Sequence, residues 1–131
     1  MADFSELRVW KAAHAMSLEA YRVTARFPRT EQFGMISQVR RASVSIAANI
    51  AESSGRHNSL DQARFLQMAK GSAKELRSHL LIARDLGFIT DEQHAACDQR
   101  VITIERMLTA LIGYHRSRGQ RRSSILDPPS Q

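Results

Sequence analysis

The sequence predicts an all-α protein, an antiparallel up-and-down four-helix bundle with a disordered basic C-terminal tail. Apolar residues recur every three or four positions in four long segments, the spacing of amphipathic helices. Glycine and proline are sparse, with six and three among 131 residues. An all-β sandwich would need turn residues every ~8–12 positions. The single cysteine excludes an intramolecular disulfide scaffold.

The first predicted helix begins near Asp3, where Glu6 three residues later would complete a capping box. It ends at Pro28, because the residue before a proline is pushed out of the α region. The apolar stripe between these points consists of Leu7, Trp10, Ala13 or His14, Ser17 or Leu18, Tyr21 and Ala25.

The second predicted helix runs from about Thr30 to Ser54. Alternate residues in part of this segment are apolar, which also fits the period of a β-strand. We favour the helix because neither glycine nor proline occurs between Gly34 and Gly55, a run far longer than a typical strand. The helical stripe consists of Ile36, Val39, Ser43, Ile46 or Ala47, and Ile50.

The third and fourth predicted helices have clear start and stop signals. Ser59 with Gln62 and Thr90 with Gln93 form two capping boxes, and Gly87 stands where a helix-ending glycine belongs. Short links make successive helices antiparallel neighbours. The third stripe is Phe65, Ala69, Ser72, Leu76, Leu80 and Ala83, and the fourth is the heptad seam Cys97, Val101, Ile104, Leu108 and Leu111.

Domain organisation follows from where this pattern stops. We assign residues 1–116 to the bundle domain and residues 117–131 to a flexible tail, because the tail has little to bury. The first twenty residues carry five charged side chains and lack the apolar core of a signal peptide. The longest uncharged stretch, Ala42–Ala51, is far shorter than the ~20 apolar residues that span a bilayer. The sequence therefore predicts a cytoplasmic protein with no membrane contact.

The positive charge of the chain points to phosphate as a ligand. The net charge is +6, and 16 of the 19 basic residues are arginine, which forms bidentate contacts with phosphate. A GC-rich genome would also enrich arginine, and each cluster can equally be a solvated surface or a solubilising terminus. The candidate nucleic-acid-binding residues are Arg40, Arg41, Arg116, Arg118, Arg121 and Arg122.

Motifs for catalysis or metal binding are missing from the sequence. A di-iron bundle needs Glu-x-x-His on two helices, and the nearest match is a single Asp91–His94 pair at a helix start. The histidines are scattered, Cys97 lies on the core seam, and no glycine-rich loop is placed to hold a phosphate. The sequence predicts no catalytic residue, no metal and no cofactor, and hence a protein that is not an enzyme.

Three segments carry a resemblance to a known family. They are Asn49–Arg56 (NIAESSGR), Gly71–Leu76 (GSAKEL) and the opening Phe4–Trp10 (F-x-x-L-x-V-W). Together they resemble the four-helix-bundle family of ribosomal RNA intervening sequences, related to the accessory variability proteins of diversity-generating retroelements. The resemblance covers about Phe4 to Leu111. It departs at Ser53, where the family usually has glycine.

The resemblance implies a protomer that assembles into a ring, typically a homopentamer, with a basic face and no catalytic residues. For the retroelement branch it also implies nucleic-acid binding and a reverse transcriptase as partner. Asn49, Glu52, Arg56 and Glu75 match the family's characteristic polar residues. We interpret them as a structural polar network with Arg56 as the natural partner, since an Asn or Glu near a bundle core must find one. Direct contact with a ligand is the alternative.

Two function hypotheses follow from the sequence. The first is a homo-oligomer, a pentamer by resemblance, that binds RNA or DNA non-specifically through basic residues. The alternative is a protein-interaction scaffold for a polymerase-type partner, whose charge only keeps it soluble. A steep loss of nucleic-acid affinity with rising salt would distinguish the first from the second.

Overall fold

The computed structural model describes residues 3–126, with side chains from residue 3 to residue 121. This part of the chain contains four α-helices and no strand. The helices are α1 (Arg8–Thr24), α2 (Met35–Ser54), α3 (Ser59–Asp85) and α4 (Asp91–Leu126), with single 3-10 turns at Phe4–Glu6 and Arg29–Glu31. Each helix packs against its neighbour in sequence, and α1 also packs against α4. The predicted four-helix fold is confirmed.

The core of the bundle follows most of the predicted stripes on the last three helices, although Ile36, Phe65 and Ser72 are only partly buried. On α4, Cys97, Val101, Ile104 and Leu108 are buried as predicted. Leu111 is only partly buried, and its neighbour Ile112 is buried instead. On α2 the buried residues are Val39, Ala42, Ser43, Ile46, Ile50 and Ser53, and on α3 they are Ala63, Leu66, Ala69, Ala73, Leu76, Leu80 and Ala83. Many of these side chains are small, so the helix backbones can approach closely.

The buried face of α1 differs from the predicted stripe. The buried residues are Val9, Ala13, Met16, Ser17, Ala20, Val23 and Thr24. Leu18 and Tyr21 are instead about half exposed. The apolar residues of α1 support more than one stripe, and the packed face is the one whose hydroxyls reach α2. Ser17 Oγ donates to the carbonyl of Ser43 at 3.1 Å, and Thr24 Oγ1 accepts from Arg40 Nε at 2.8 Å.

Two of the predicted helix ends have the expected geometry. Thr90 and Gln93 cap α4 reciprocally, since the amide of Gln93 donates to Thr90 Oγ1 at 3.1 Å and the amide of Thr90 donates to Gln93 Oε1 at 2.9 Å. After α3, Gly87 adopts φ 77° and its amide donates to the carbonyl of Arg84, while the amide of Phe88 donates to that of Ala83. This is the Schellman pattern of a helix C-terminus.

Three of the predicted helix starts are wrong, that of α3 by one residue and those of α1 and α2 by four or five. The cap of α3 is Asn58, whose Oδ1 accepts from the amides of Leu60 and Asp61, so Ser59 does not form the expected box with Gln62. Asp3 makes no cap, and α1 begins only at Arg8. α2 begins at Met35 rather than near Thr30, because a 3-10 turn precedes it and Glu31 Oε2 accepts from the amide of Met35 at 3.1 Å.

The prediction of a disordered tail from residue 117 is wrong for residues 117–126, since α4 continues to Leu126. Residues 127–131 lie outside the described part. Gly119 is buried where α4 passes the start of α3, and a Cβ there would lie 2.6 Å from Leu60 Cδ2. Arginine and glutamine are good helix formers, and extending an existing helix is much easier than nucleating one. The loss of apolar periodicity therefore did not mark the end of the helix.

The helices of the described part include none that is both long enough and apolar enough to cross a membrane.

We expect substitution of two glycines on α3 and its end to have opposite effects. Gly87→Ala places a side chain at positive φ and should lower the free energy of unfolding by about 1 kcal/mol. Gly71→Ala, at a helical position with open space around the added Cβ, should raise it by about 0.5–1 kcal/mol. Urea unfolding followed by circular dichroism measures both, and a destabilised Gly71→Ala would contradict the assignment of that position as open.

Candidate nucleic-acid interface

The predicted arginines of α2 lie in different environments. Arg40 is half-buried, donates to Thr24 Oγ1 at 2.8 Å and stacks over the ring of Tyr21 at 4.4 Å from its centroid. Arg41 is exposed beside it, and both line a shallow depression with Val44. The guanidinium of Arg40 therefore contacts α1, whereas Arg41 is exposed to solvent.

The predicted arginines of the tail lie on the last turns of α4. Arg116, Arg118 and Arg121 are exposed, and the side chain of Arg122 lies outside the described residues. Arg118 donates to the hydroxyl of Tyr114 at 3.3 Å. Burial lowers the pKa of the neighbouring His115 imidazole, and the positive charge of Arg118 lowers it further.

The structure does not bring the two predicted arginine clusters together. Arg40 lies beside the end of α1, while Arg116 lies beside Leu60 at the start of α3. Ser53 Oγ donates to the carbonyl of Gln62, which places the end of α2 at the level of the start of α3. At ~1.5 Å per residue, Arg40 and Ser53 are roughly 20 Å apart along α2.

A third basic surface, absent from the sequence prediction, lies between α3 and α4. One part of it, about 470 Å³ in volume, is lined by Lys70, Lys74, Arg77, Ile102, Glu105, Arg106 and Thr109. The next part toward the start of α3 is lined by Leu60, Ala63, Arg64, Gln67, Met68 and Arg116. We call these two parts together the α3–α4 groove. Its signal in the sequence is the spacing of Lys70, Lys74 and Arg77, which places three cations on one face of a helix.

An ion-pair network crosses the floor of the α3–α4 groove. Arg77 Nε lies 2.8 Å from Asp98 Oδ1, and Arg77 Nη1 lies 3.3 Å from Glu105 Oε1. Lys74 Nζ lies 2.9 Å from Glu105 Oε2. The hydrogen bond to Asp98 is the main cause that raises the pKa of the Arg77 guanidinium above its ordinary value. Because Glu105 is buried, these contacts fix the register between α3 and α4.

The predicted polar network forms only in part. Glu52 Oε1 and Arg56 Nη2 lie 2.5 Å apart, and Arg56 Nε also lies 3.7 Å from Asp61 Oδ2 across the α2–α3 turn. The guanidinium of Arg56 stacks over the ring of Phe65. The structure thus brings Arg56 and Glu52 together.

Asn49 and Glu75 make separate contacts. Asn49 Nδ2 donates to the carbonyl of Ser45 at 2.9 Å, and Ser45 Oγ lies 2.9 Å from Ser72 Oγ on α3. Glu75 Oε1 lies 3.3 Å from His79 Nε2 on the exposed side of α3. The four residues that match the family pattern therefore belong to three different local arrangements.

Metal-ligating side chains do not cluster in the part of the chain that the structure describes. No three of its histidine, cysteine, aspartate and glutamate residues come close enough to share a metal ion. Cys97 is 2% exposed, and burial raises the pKa of its thiol, which disfavours the thiolate. Its predicted place in the core is confirmed.

Comparison with known proteins identifies the family. Residues 5–110 match the family model described as 23S rRNA-intervening sequence protein. The chain belongs to this family. The match to this intervening sequence protein family covers nearly the same span as the predicted resemblance. It includes the groove residues from Arg64 to Arg106 but ends before Arg116.

A solved structure supports the fold. The chain is similar to a protein of unknown function from the S23 ribosomal protein family of Bacteroides thetaiotaomicron, with a TM-score of 0.72 and 23% sequence identity. The alignment covers 79% of this chain and 97% of the other, and at this identity it supports the fold alone. No curated protein matches this chain in sequence.

We expect two arginines of this chain to differ in their contribution to stability. Arg77→Ala leaves Glu105 buried with only Lys74 as partner and should lower the free energy of unfolding by about 2 kcal/mol. Arg56→Ala removes a pair whose side chains are 40% and 52% exposed and should cost less than about 1 kcal/mol. Chemical unfolding measures both, and a larger loss for Arg56→Ala would mean that the α2–α3 turn, not the groove floor, holds the bundle.

Proposed function

We propose that this protein is a non-enzymatic homo-oligomer that binds RNA or DNA non-specifically through phosphate contacts in the α3–α4 groove. The observation that carries the proposal is the surplus of positive charge there. The groove is lined by six cations, Arg64, Lys70, Lys74, Arg77, Arg106 and Arg116. Three carboxylates, those of Asp61, Asp98 and Glu105, lie within ion-pair distance of them.

Half of the groove cations remain available for a ligand. Within residues 3–121, no carboxylate lies within 4.0 Å of the side-chain nitrogens of Lys70, Arg106 or Arg116, whereas each of the other three cations is ion-paired. A polyanion that contacts such cations releases its own condensed counterions, which favours binding at low salt. Arg118 and Arg121, on the last turns of α4, are two further exposed arginines close to Arg116 in sequence.

The same features favour non-specific binding over sequence recognition. Aromatic residues are only 6% of the chain, so stacking platforms for bases are scarce. Lysine and arginine on an exposed groove contact phosphates, which carry no sequence information. The family is named after intervening sequences of 23S rRNA, which is the reason to use structured RNA as one probe beside duplex DNA.

We expect neutralising the unpaired groove cations to abolish most of the binding. The triple variant Lys70→Gln, Arg106→Gln and Arg116→Gln removes about three phosphate contacts. It should weaken binding at about 50 mM salt by on the order of 100-fold or more. The negative slope of log K against log salt should become shallower by about 2–3. Fluorescence anisotropy with structured RNA and with duplex DNA measures both quantities.

The matched control removes the same charge elsewhere. Arg26, Arg29 and Arg100 are exposed and lie outside the groove, so their triple glutamine variant should change affinity less than about fivefold. Equal losses in the two triple variants would show that net charge and not the groove drives binding. Arg41→Gln in the same titration tests the cluster that the sequence predicted on α2.

The homo-oligomer in this proposal is supported by an apolar face on α1 and α2. Leu18, Tyr21 and Val44 are exposed by 46%, 47% and 45%, and Tyr21 and Val44 line one depression. Exposed apolar side chains on neighbouring helices favour protein contact, and Arg40 and Arg41 border them in the same depression. The pentameric ring is the arrangement that the family resemblance implies, and the α1–α2 face is the surface we assign to the subunit contact.

We expect a charge on this face to weaken self-association. Val44→Glu should shift the protein toward the monomer, because the glutamate would lose water in the contact without a partner. Ile82→Glu is the control, since Ile82 is also 45% exposed but lies on α3. Sedimentation velocity compares the two variants, and dissociation by Ile82→Glu alone would place the contact on α3 instead.

A second candidate function is a scaffold for a polymerase-type protein partner without nucleic-acid binding. The observation that favours it is Phe33, which is 90% exposed in the connection between α1 and α2. The relation to retroelement accessory proteins, and with it a reverse transcriptase as partner, stays a prediction from the resemblance. A wild-type chain that binds neither RNA nor DNA at about 50 mM salt would replace our proposal with this one.

A further inference from the structure

Glu105 is a buried carboxylate among the cations that line the α3–α4 groove. Among the residues that the structure describes, it is the one carboxylate with less than a tenth of its surface exposed. Its two oxygens face Lys74 at 2.9 Å and Arg77 at 3.3 Å. A groove that served only to attract phosphate would not place a negative charge between its cations.

The two partners of Glu105 are held very differently. Arg77 is fixed by Asp98 as well, with hydrogen bonds from Nε at 2.8 Å and from Nη2 at 3.4 Å. Lys74 has Glu105 as its ion-pair partner, and its side chain is 61% exposed. Because the side chain of Lys74 is largely exposed, its ammonium can leave Glu105 and contact an external phosphate without being buried. Arg77 then remains as the ion-pair partner of Glu105.

We propose that Glu105 is an internal competitor for phosphate, whose carboxylate occupies Lys74 and thereby weakens the binding of nucleic acid in the α3–α4 groove. This inference rests on the proposed function and concerns the regulation of the same site. Lys74 and Arg77 together balance the charges of Asp98 and Glu105, so the floor of the groove carries no net charge.

The consequence is selectivity for extended polyanions. The unbalanced charge lies on Lys70, Arg106 and Arg116, which are spread over both parts of the groove. A strand with several phosphates contacts more than one of these cations at once. A single phosphate group meets one cation and a neutral floor, and it binds far more weakly.

The substitution Glu105→Gln tests the competitor directly. Glutamine keeps the size of the side chain but releases Lys74, which adds about one phosphate contact. Binding of a single-stranded RNA oligonucleotide at about 50 mM salt should become roughly tenfold tighter, and the salt slope should steepen by about 0.7. The matched control is Glu75→Gln, which makes the same charge change on the exposed side of α3, where Glu75 contacts His79. A comparable gain from Glu75→Gln would overturn the inference.

A double-mutant cycle with Lys74→Gln localises the effect. In the wild-type background Lys74→Gln should change affinity less than about twofold, because Glu105 already occupies the lysine. In the Glu105→Gln background it should remove the whole gain. Circular dichroism confirms that each variant is folded. If Glu105→Gln does not fold, Glu105→Asp keeps the charge for Arg77 but shortens its reach to Lys74, and a partial gain is expected.

The outcomes separate this inference from the proposed function. If the wild-type protein binds RNA and Glu105→Gln binds equally, Glu105 is not a competitor and the groove proposal stands. If only Glu105→Gln binds, the competitor is supported and the native protein is not a nucleic-acid-binding protein under these conditions. If neither binds, both proposals are wrong.

Discussion

Close approach of the helices through small buried side chains is the constraint on which the rest of this structure depends. Ala13, Ala69, Ala73 and Ala83 are fully buried, and Ala20 is nearly so. Where side chains are this small, backbones come near enough for hydroxyl groups to bridge helices, as Ser45 Oγ does with Ser72 Oγ at 2.9 Å. Long polar side chains then have no room between the helices and lie along the grooves at the surface.

The α3–α4 groove is a consequence of that packing. Lysine and arginine place their aliphatic stems against the apolar flanks of the helices and keep their charged ends near water. Carboxylates from α4 neutralise the cations nearest the core, where an unpaired charge would be costly. Lys70, Arg106 and Arg116 have no carboxylate within 4.0 Å among residues 3–121, so the surplus charge of the groove lies on these three residues. Stability and binding thus depend on different members of one row of basic residues.

Local signals explain how much of the fold the sequence predicted. The Thr90–Gln93 box and Gly87 act within a few residues, so their geometry follows from the sequence alone. At the start of α3, Asn58 and Ser59 are both good caps, and the sequence offered no way to rank them. Residues 117–126 were misread because the end of an apolar stripe marks the end of burial, whereas a helix can continue beyond it.

The sequence by itself determined the four helices, most of their buried faces and the family, because helical periodicity, capping residues and short motifs are properties of neighbouring residues. Only the tertiary structure decided which charges meet. Lys74 and Glu105 are 31 positions apart, and nothing in their own neighbourhoods shows that they share a groove. The predicted clusters at Arg40 and Arg116 are, conversely, separated by the bundle. Contacts between helices depend on register and rotation about each axis, which are set by how the whole core packs.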